Sequence, residues 1–297
     1  MTKLSPLPLQ FRILGQQVAV QCTDQRLSDL VHANYAAFSE AADSPAIEYT
    51  VKRLAAGGFS IARDGEVLHS ETDDDATEYL VVYLLEKLIT LELQKLRTDL
   101  YFVHSSALER RGRVTMIVAD SGTGKSTTAW ALLQHGFRYL SDEMAPVDPV
   151  RLEIHPYPHA VCLKALPPGP YPLPDQTVQT ERTLHVPVAS LPSLPIREPK
   201  PLQALLFLQR NKPRSVPTYT ELSPAEAGAR LYANTLNALA HQGHGLQTAI
   251  RIASAVPAYI LHAGELQATC ELIAEIDDNL HRISCSQSPE PGSVVQW

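Results

Sequence analysis

Between Val114 and Thr127 the chain reads VTMIVADSGTGKST. The apolar run Met116-Ile117-Val118 ends in a turn holding two glycines, and Lys125-Ser126-Thr127 follow at once. A strand feeding a helix through such a turn is the layout of a phosphate-binding loop. Gly122 and Gly124 allow the backbone to curl until successive N–H groups converge on one point, and a helix opening near Lys125 adds its positive dipole end. Lys125 then supplies a full charge to the β- and γ-phosphates, and the Ser126 hydroxyl suits a Mg²⁺ ligand. On this reading Asp120, Ser121, Gly122, Thr123, Gly124, Lys125, Ser126 and Thr127 form the nucleotide-binding segment. The usual pattern opens on Gly, where this chain has Ala119. An ordinary Gly-rich turn is the competing reading, but a strand-like run before it and a helix-like run after it favour phosphate.

The surrounding pattern predicts α/β architecture in two parts and a tail. Residues 1–72 read as a β-rich module, with strand signals at 11–14, 18–20, 47–51, 59–61 and 67–68 and a helix over 27–42. Residues 73–283 read as the main domain. Asp73-Asp74-Asp75 sit where carboxylates favour a helix start, and an amphipathic helix follows to about Arg97. A strand is expected over 100–108, paired with the strand of the loop. The helix after the loop should stop at Gly136, before a strand ending in Ser141-Asp142-Glu143. About half of the 23 prolines fall between His155 and Pro201. Proline fixes φ and removes a donor, so that stretch predicts a loop, part of 165–185 lacking order. Ala204–Leu208 reads as a buried strand. Ser223-Pro224-Ala225-Glu226 is a helix start, with the helix expected to reach about Ala240. A helix over 246–255, a strand over 258–261 and a helix over 265–280 complete the domain, and 284–297 is expected to be a loose tail.

The totals narrow the function. A formal charge of -7 over 297 residues disfavours a nucleic-acid surface, which needs clustered Lys and Arg. Cys22, Cys162, Cys270 and Cys285 are scattered without metal-ligand spacing, and His155, His159, His185, His241 and His244 form no ligand pattern with carboxylates. The most apolar helical stretch, Tyr79 to Leu96, carries Glu86, Lys87, Glu92 and Lys95, which argues against a membrane span. With an opening MTKLSPLPLQ that lacks a charged-then-apolar leader, a soluble cytoplasmic protein is expected.

His104, the loop Ala119–Thr127 and the segment Gly136–Glu143 together resemble the kinase core of HPr kinase/phosphorylase, in particular the looser group of related bacterial kinases. The matching stretch reads HSSALERRGRVTMIVADSGTGKSTTAWALLQHGFRYLSDE. The resemblance implies a phosphoenolpyruvate-carboxykinase-like P-loop kinase fold with a mixed central sheet. It also implies ATP and Mg²⁺ as cofactors, phosphoryl transfer to a serine-type hydroxyl of a peptide, protein or small molecule, and homo-oligomer assembly. Two departures stand out. The family's paired Asp-Asp is Asp142-Glu143 here, and the glycine-rich, Arg-bearing segment of the true HPr kinases has no counterpart in 165–201.

On these grounds Asp142, His104 and Lys125 are the expected catalytic residues. Ser126, Asp142 and Glu143 are the expected metal ligands. Asp142 would orient or deprotonate the acceptor hydroxyl, with His104 beside it, while the alternative for the acidic pair is a turn cap. Lys164, Arg197 and Arg210 are weaker candidates for phosphate contacts. The competing function is a nucleotide-dependent binding or regulatory protein that transfers little or nothing.

Overall fold

The computed structural model describes residues 7–40, 47–55, 57–72, 77–193, 195–210 and 216–286. The expected three-aspartate cap at 73–75 and the tail from 287 lie outside the described residues.

The chain opens with β1 (Leu9–Ile13) and β2 (Gln16–Cys22), a hairpin whose turn holds Gly15 at φ +82°. Helix α1 (Gln25–Tyr35) starts at Asp24, whose carboxylate accepts from the Leu27 N–H, and ends well before the residue 42 expected from sequence. Strands β3 (Ile47–Arg53), β4 (Phe59–Arg63) and β5 (Glu66–Glu71) complete a separate five-stranded sheet in the order β1-β2-β3-β4-β5. Helix α2 (Glu78–Leu96) follows, capped by the Thr77 hydroxyl. Its Val81, Leu85, Ile89 and Leu93 recur at helical spacing and share one core with Phe11, Val20, Val31, Tyr49 and Ile61. That stripe anchors α2 to the small sheet and turns its other side towards the rest of the chain.

The expected strand over 100–108 is two strands. β6 (Tyr101–Val103) and β7 (Ser105–Arg110) are divided at His104, whose N–H donates to the Asn234 carbonyl 2.8 Å away. The break separates their partners. β7 pairs antiparallel with β8 (Arg113–Val118), as expected, whereas β6 joins a later strand. Helix α3 (Lys125–Leu132) runs on as a 3₁₀ turn to His135, and Gly136 terminates it at φ +81°. Beyond it lie β9 (Arg138–Ser141), β10 (Ala145–Asp148) and β11 (Glu153–Ile154).

The Pro-rich segment is more ordered than its composition predicts. β12 (Val161–Leu163), β13 (Val178–Gln179) and β14 (Leu184–Val186) form a three-stranded sheet in the order β12-β14-β13. The prolines lie outside these three strands, and Val161, Leu163 and Val186 are buried in the same core as α3. Strand β15 (Lys200–Arg210) then crosses the molecule. It pairs parallel with β8 on one side and, on the other, antiparallel with β11 at its start and parallel with a later strand over its second half.

Strand β16 (Thr218–Glu221) precedes α4 (Pro224–Ala233). The Ser223 side chain and the Glu226 N–H, with the Glu226 carboxylate returned to the Ser223 N–H, make the capping box read from sequence. Helix α4 ends at Ala233, not near 240, because the chain turns at Asn234 and Thr235 to bind β6. Helix α5 (Leu246–Ala255), β17 (Ala258–Ala263) and α6 (Leu266–Ser286) finish the fold. The main sheet is mixed, in the order β6-β10-β11-β15-β8-β7-β9 with β17 against β15 and β16 at the edge. Ser223→Ala should cost about 1 kcal/mol. Chemical denaturation should show it as a lower midpoint at unchanged slope; an unmoved midpoint would mean the box contributes nothing.

Candidate active site

The loop begins where β8, buried and apolar from Val114 to Val118, reaches the sheet's end. Ala119 takes the place where glycine is usual. It is 5% exposed and packed into the core, and its φ is not positive, so its methyl group costs no strain. Gly122 (φ +85°) and Gly124 (φ +110°) are in the left-handed region that side chains avoid, and Gly124 is the residue from which α3 starts. The Thr123 N–H donates to the Asp120 carbonyl at 3.2 Å, closing the turn. The N-terminus of α3 therefore opens at Lys125 and Ser126, directly after the two glycines.

Opposite stands the carboxylate pair at the end of β9. Asp142 is fully buried, and Lys125 is 5% exposed with its ammonium 3.0 Å from Asp142 Oδ1 and 3.4 Å from Glu143 Oε1. The Ser106 hydroxyl donates to the same Oδ1 in a short contact. Among the described residues, Asp142 Oδ2 has no hydrogen-bond partner. Burial alone would push the Asp142 carboxyl up, but Lys125 and the Ser106 hydroxyl outweigh it and hold the group below the usual carboxylate range. The same carboxylates hold Lys125 above its ordinary value against the pull of burial. At neutral pH both members of the pair are charged.

Glu143 occupies a strained position. Its φ is +66°, and the Met144 N–H reaches back over it to the Asp142 carbonyl at 2.8 Å, making a three-residue turn. His104, at the break between β6 and β7, donates from Nδ1 to the Glu143 carbonyl at 2.9 Å and lies 3.7 Å from its carboxylate. His104 thus props the turn through Glu143, where the sequence had placed it beside Asp142. Burial, then the Lys125 charge, lowers its pKa, so the imidazole is neutral. The Ser126 hydroxyl lies 3.4 Å from Glu143 Oε1.

The fold therefore gathers His104, Lys125, Ser126, Asp142 and Glu143 into one cluster at the loop. Of the outlying cations, Lys164 donates to Ser121 Oγ at 3.0 Å, and Arg210 lines a cavity of about 770 Å³ that also touches Thr123, Gly124 and Thr127. Arg197 is elsewhere: it donates to the Ala37 carbonyl and lines a different cavity with Arg12 and Arg97. Sequence reasoning missed Ser106, although a serine in an apolar strand two residues from His104 was a signal for it. It also missed Glu86 of α2, which lines a second, smaller pocket beside Ser121 and Glu143.

In the wall of that pocket, His185 donates from Nδ1 to Asn34 Oδ1 at 2.8 Å and accepts from the Thr183 hydroxyl at 2.7 Å. Burial, aided by His159 and Arg26, lowers its pKa to about 4. The unfolded chain, titrating near 6.5, binds more protons between those two values, so stability rises with pH across that window. Full acidification through it should remove about 3 kcal/mol at 1.36 kcal/mol per unit. Urea midpoints for wild type and His185→Asn should therefore converge from pH 7 towards pH 4. A constant difference across that window would exclude the effect.

These elements define a mixed α/β protein in which a glycine-containing loop, the helix after it and a buried Lys-carboxylate pair form one centre. Comparison with known proteins adds a relative. Over 74 residues the chain is 36% identical to the HPr kinase/phosphorylase of Lactobacillus delbrueckii subsp. bulgaricus, a match spanning 25% of this chain and 22% of that protein. This points to HPr kinase/phosphorylase-like proteins, of whose length the chain spans less than a quarter. The solved HPr(Ser) kinase/phosphatase from Coxiella burnetii aligns with 62% of this chain and 98% of its own at 13% identity and a TM-score of 0.33, too low to carry an argument. No family model matches the chain. Among the described residues, no helix is long and apolar enough to cross a membrane.

Proposed function

We propose that the chain is an ATP-dependent phosphotransferase with a phosphoenolpyruvate-carboxykinase-like P-loop core spanning about 73–283. It would move the γ-phosphoryl group to a serine-type hydroxyl in the cytoplasm. The observation that carries this reading is Asp142. A fully buried, ionised carboxylate with one oxygen unpartnered among the described residues, held by the lysine of a phosphate-type loop, is costly unless that oxygen meets a ligand.

The donor set fits Mg²⁺. This ion is usually bound by one or two carboxylates plus substrate phosphates and keeps several waters. Ser126 and Glu143 together offer that kind of set, and among the described residues no cluster of three or more His, Cys, Asp or Glu side chains exists to form an all-protein cage. Bound there, the ion would neutralise charge on the phosphates. The loop amides of 121–126, apart from that of Thr123, which Asp120 holds, grip the phosphates, with Lys125 and Lys164 adding charge, and the cavity lined by Thr127, Arg210 and Leu266 leaves room for the nucleoside. Asp142 Oδ2 receives the acceptor's hydroxyl proton. A weakly basic carboxylate suffices, because phosphoryl transfer depends mainly on positioning and charge neutralisation. His104 keeps the Glu143 turn in place.

Labelled ATP incubated with candidate acceptors tests this reading, comparing wild type with Asp142→Asn. Transfer that survives the substitution would remove Asp142 from the chemistry.

A further inference from the structure

Glu143 of the carboxylate pair lines a second pocket, with Asp142 buried behind it. It measures about 170 Å³ and lies between α2 and the three-stranded sheet. Ser121, Glu143 and Lys164 line it from the loop side, Cys162 and His185 from the sheet, and Tyr79, Tyr83 and Glu86 from α2. The last three recur at i, i+4 and i+7, so the α2 face that does not enter the small module's core is the face turned to the site. This pocket and the 770 Å³ cavity share no lining residue, and each touches the loop, the first at Ser121 and the second at Thr123 and Gly124. In-line transfer needs the acceptor on the side away from the leaving group, and a nucleoside in the larger cavity would leave the smaller pocket for it. Its volume is well below the roughly 300–1,000 Å³ of sites for drug-sized ligands, so it suits one small group.

The charges around it are unevenly satisfied. Lys164 is engaged by Ser121, and the Lys87 ammonium sits 5.3 Å from the centre of the Tyr83 ring. Glu143 has Lys125 and Ser126. Glu86 forms no hydrogen bond or ion pair within 4 Å among the described residues, although its carboxylate lines the pocket. Burial raises its pKa, the His159 and Lys87 charges pull against that, and the Glu143 and Asp142 charges add to it, leaving the group above its ordinary value. A donor from the ligand would relieve that cost.

We propose that this pocket is the acceptor site and that Glu86 selects an alcohol bearing a protonated amine one or two carbons from its hydroxyl. The inference rests on the phosphotransferase reading above. The acceptor's ammonium donates to Glu86, which aims its hydroxyl at the Glu143–Asp142 edge. There the hydroxyl oxygen bonds to the γ-phosphorus of a nucleoside triphosphate, the proton passes to Asp142, and the bond to the β–γ bridging oxygen breaks with its electron pair leaving on the diphosphate. A free amino alcohol and the amino-terminal serine of a peptide share this chemistry.

The test uses the full chain with Mg-ATP and labelled phosphate. L-serine and 2-aminoethanol are compared with glycerol and ethylene glycol, and a peptide with a free amino-terminal serine is compared with its N-acetylated form; casein serves as a general protein acceptor. Fluorescent-nucleotide affinity is read in parallel, as control for fold and for the underlying reading. Amine-bearing alcohols should exceed the neutral ones at least tenfold in kcat/KM, and Glu86→Gln should erase that preference with nucleotide affinity retained. Activity on the free-amine peptide alone would assign the chemistry to a chain terminus. Equal use of neutral alcohols, a preference untouched by Glu86→Gln, or no transfer to any amine despite nucleotide binding would each overturn the inference. Transfer to casein alone would overturn it while leaving the kinase reading standing. Failure to bind nucleotide would remove that reading first.

Discussion

Lys125→Met is expected to weaken Mg-ATP binding by about ten- to a hundredfold and to destabilise the protein by about 3–5 kcal/mol in the absence of nucleotide. The first figure follows from losing hydrogen bonds between an ammonium and charged phosphate oxygens, about 1.5–3 kcal/mol in all. The second follows from burial. Asp142 is 0% exposed, and its Oδ1 depends on the Lys125 ammonium 3.0 Å away. Removing one member of a buried pair strands the other, which typically costs about 3–5 kcal/mol. The two effects are separable. In Lys125→Met/Asp142→Asn neither charge remains, so most of the lost stability should return while nucleotide affinity stays low. Titration calorimetry and urea denaturation on the four proteins of the cycle measure both quantities. Undiminished ATP affinity in the double variant would eliminate the phosphate-loop reading. Stability that fails to recover would mean that Lys125 supports the fold by packing instead of charge.

The legible part of this chain was local. The loop strand, its glycines, Lys125 and the stop at Gly136 all follow from neighbouring residues, and each stands where the pattern put it. The capping box at Ser223 is similar, since its four residues satisfy one another. Three features depended on distant partners and could not be read that way. The break at His104 exists because Asn234, over a hundred residues later, accepts its N–H. The early end of α4 is the same contact seen from the other side. The Pro-rich segment gains its three strands because Val161, Leu163 and Val186 find a buried surface against α3, a tertiary reward that local propensity does not contain. In the site, the Asp142-Glu143 pair was visible, but its electrostatics were not. That Ser106 and Lys125 share one carboxylate oxygen while the other has no partner among the described residues is a property of packing.

Asp142→Asn is expected to reduce phosphoryl transfer by about 10²–10⁴-fold, the range associated with removing a positioned acid–base group. Nucleotide affinity should hold, or rise, because the ammonium that now divides itself between Asp142 and Glu143 would be left with Glu143 alone and with the phosphates. This opposition between rate and affinity separates the two readings of the chain. A transferase loses turnover and keeps its nucleotide, whereas a nucleotide-dependent regulatory protein shows no turnover for the substitution to remove. The charge state sharpens the expectation. Lys125 and Ser106 hold the Asp142 carboxyl below its ordinary range, so it is ionised throughout the neutral region. The wild-type rate should consequently show no acid limb from this group until the pH falls below the ordinary carboxylate value. A limb with a midpoint near neutrality in wild type, persisting in Asp142→Asn, would place the proton acceptor on another residue and leave Asp142 as the counter-charge of Lys125.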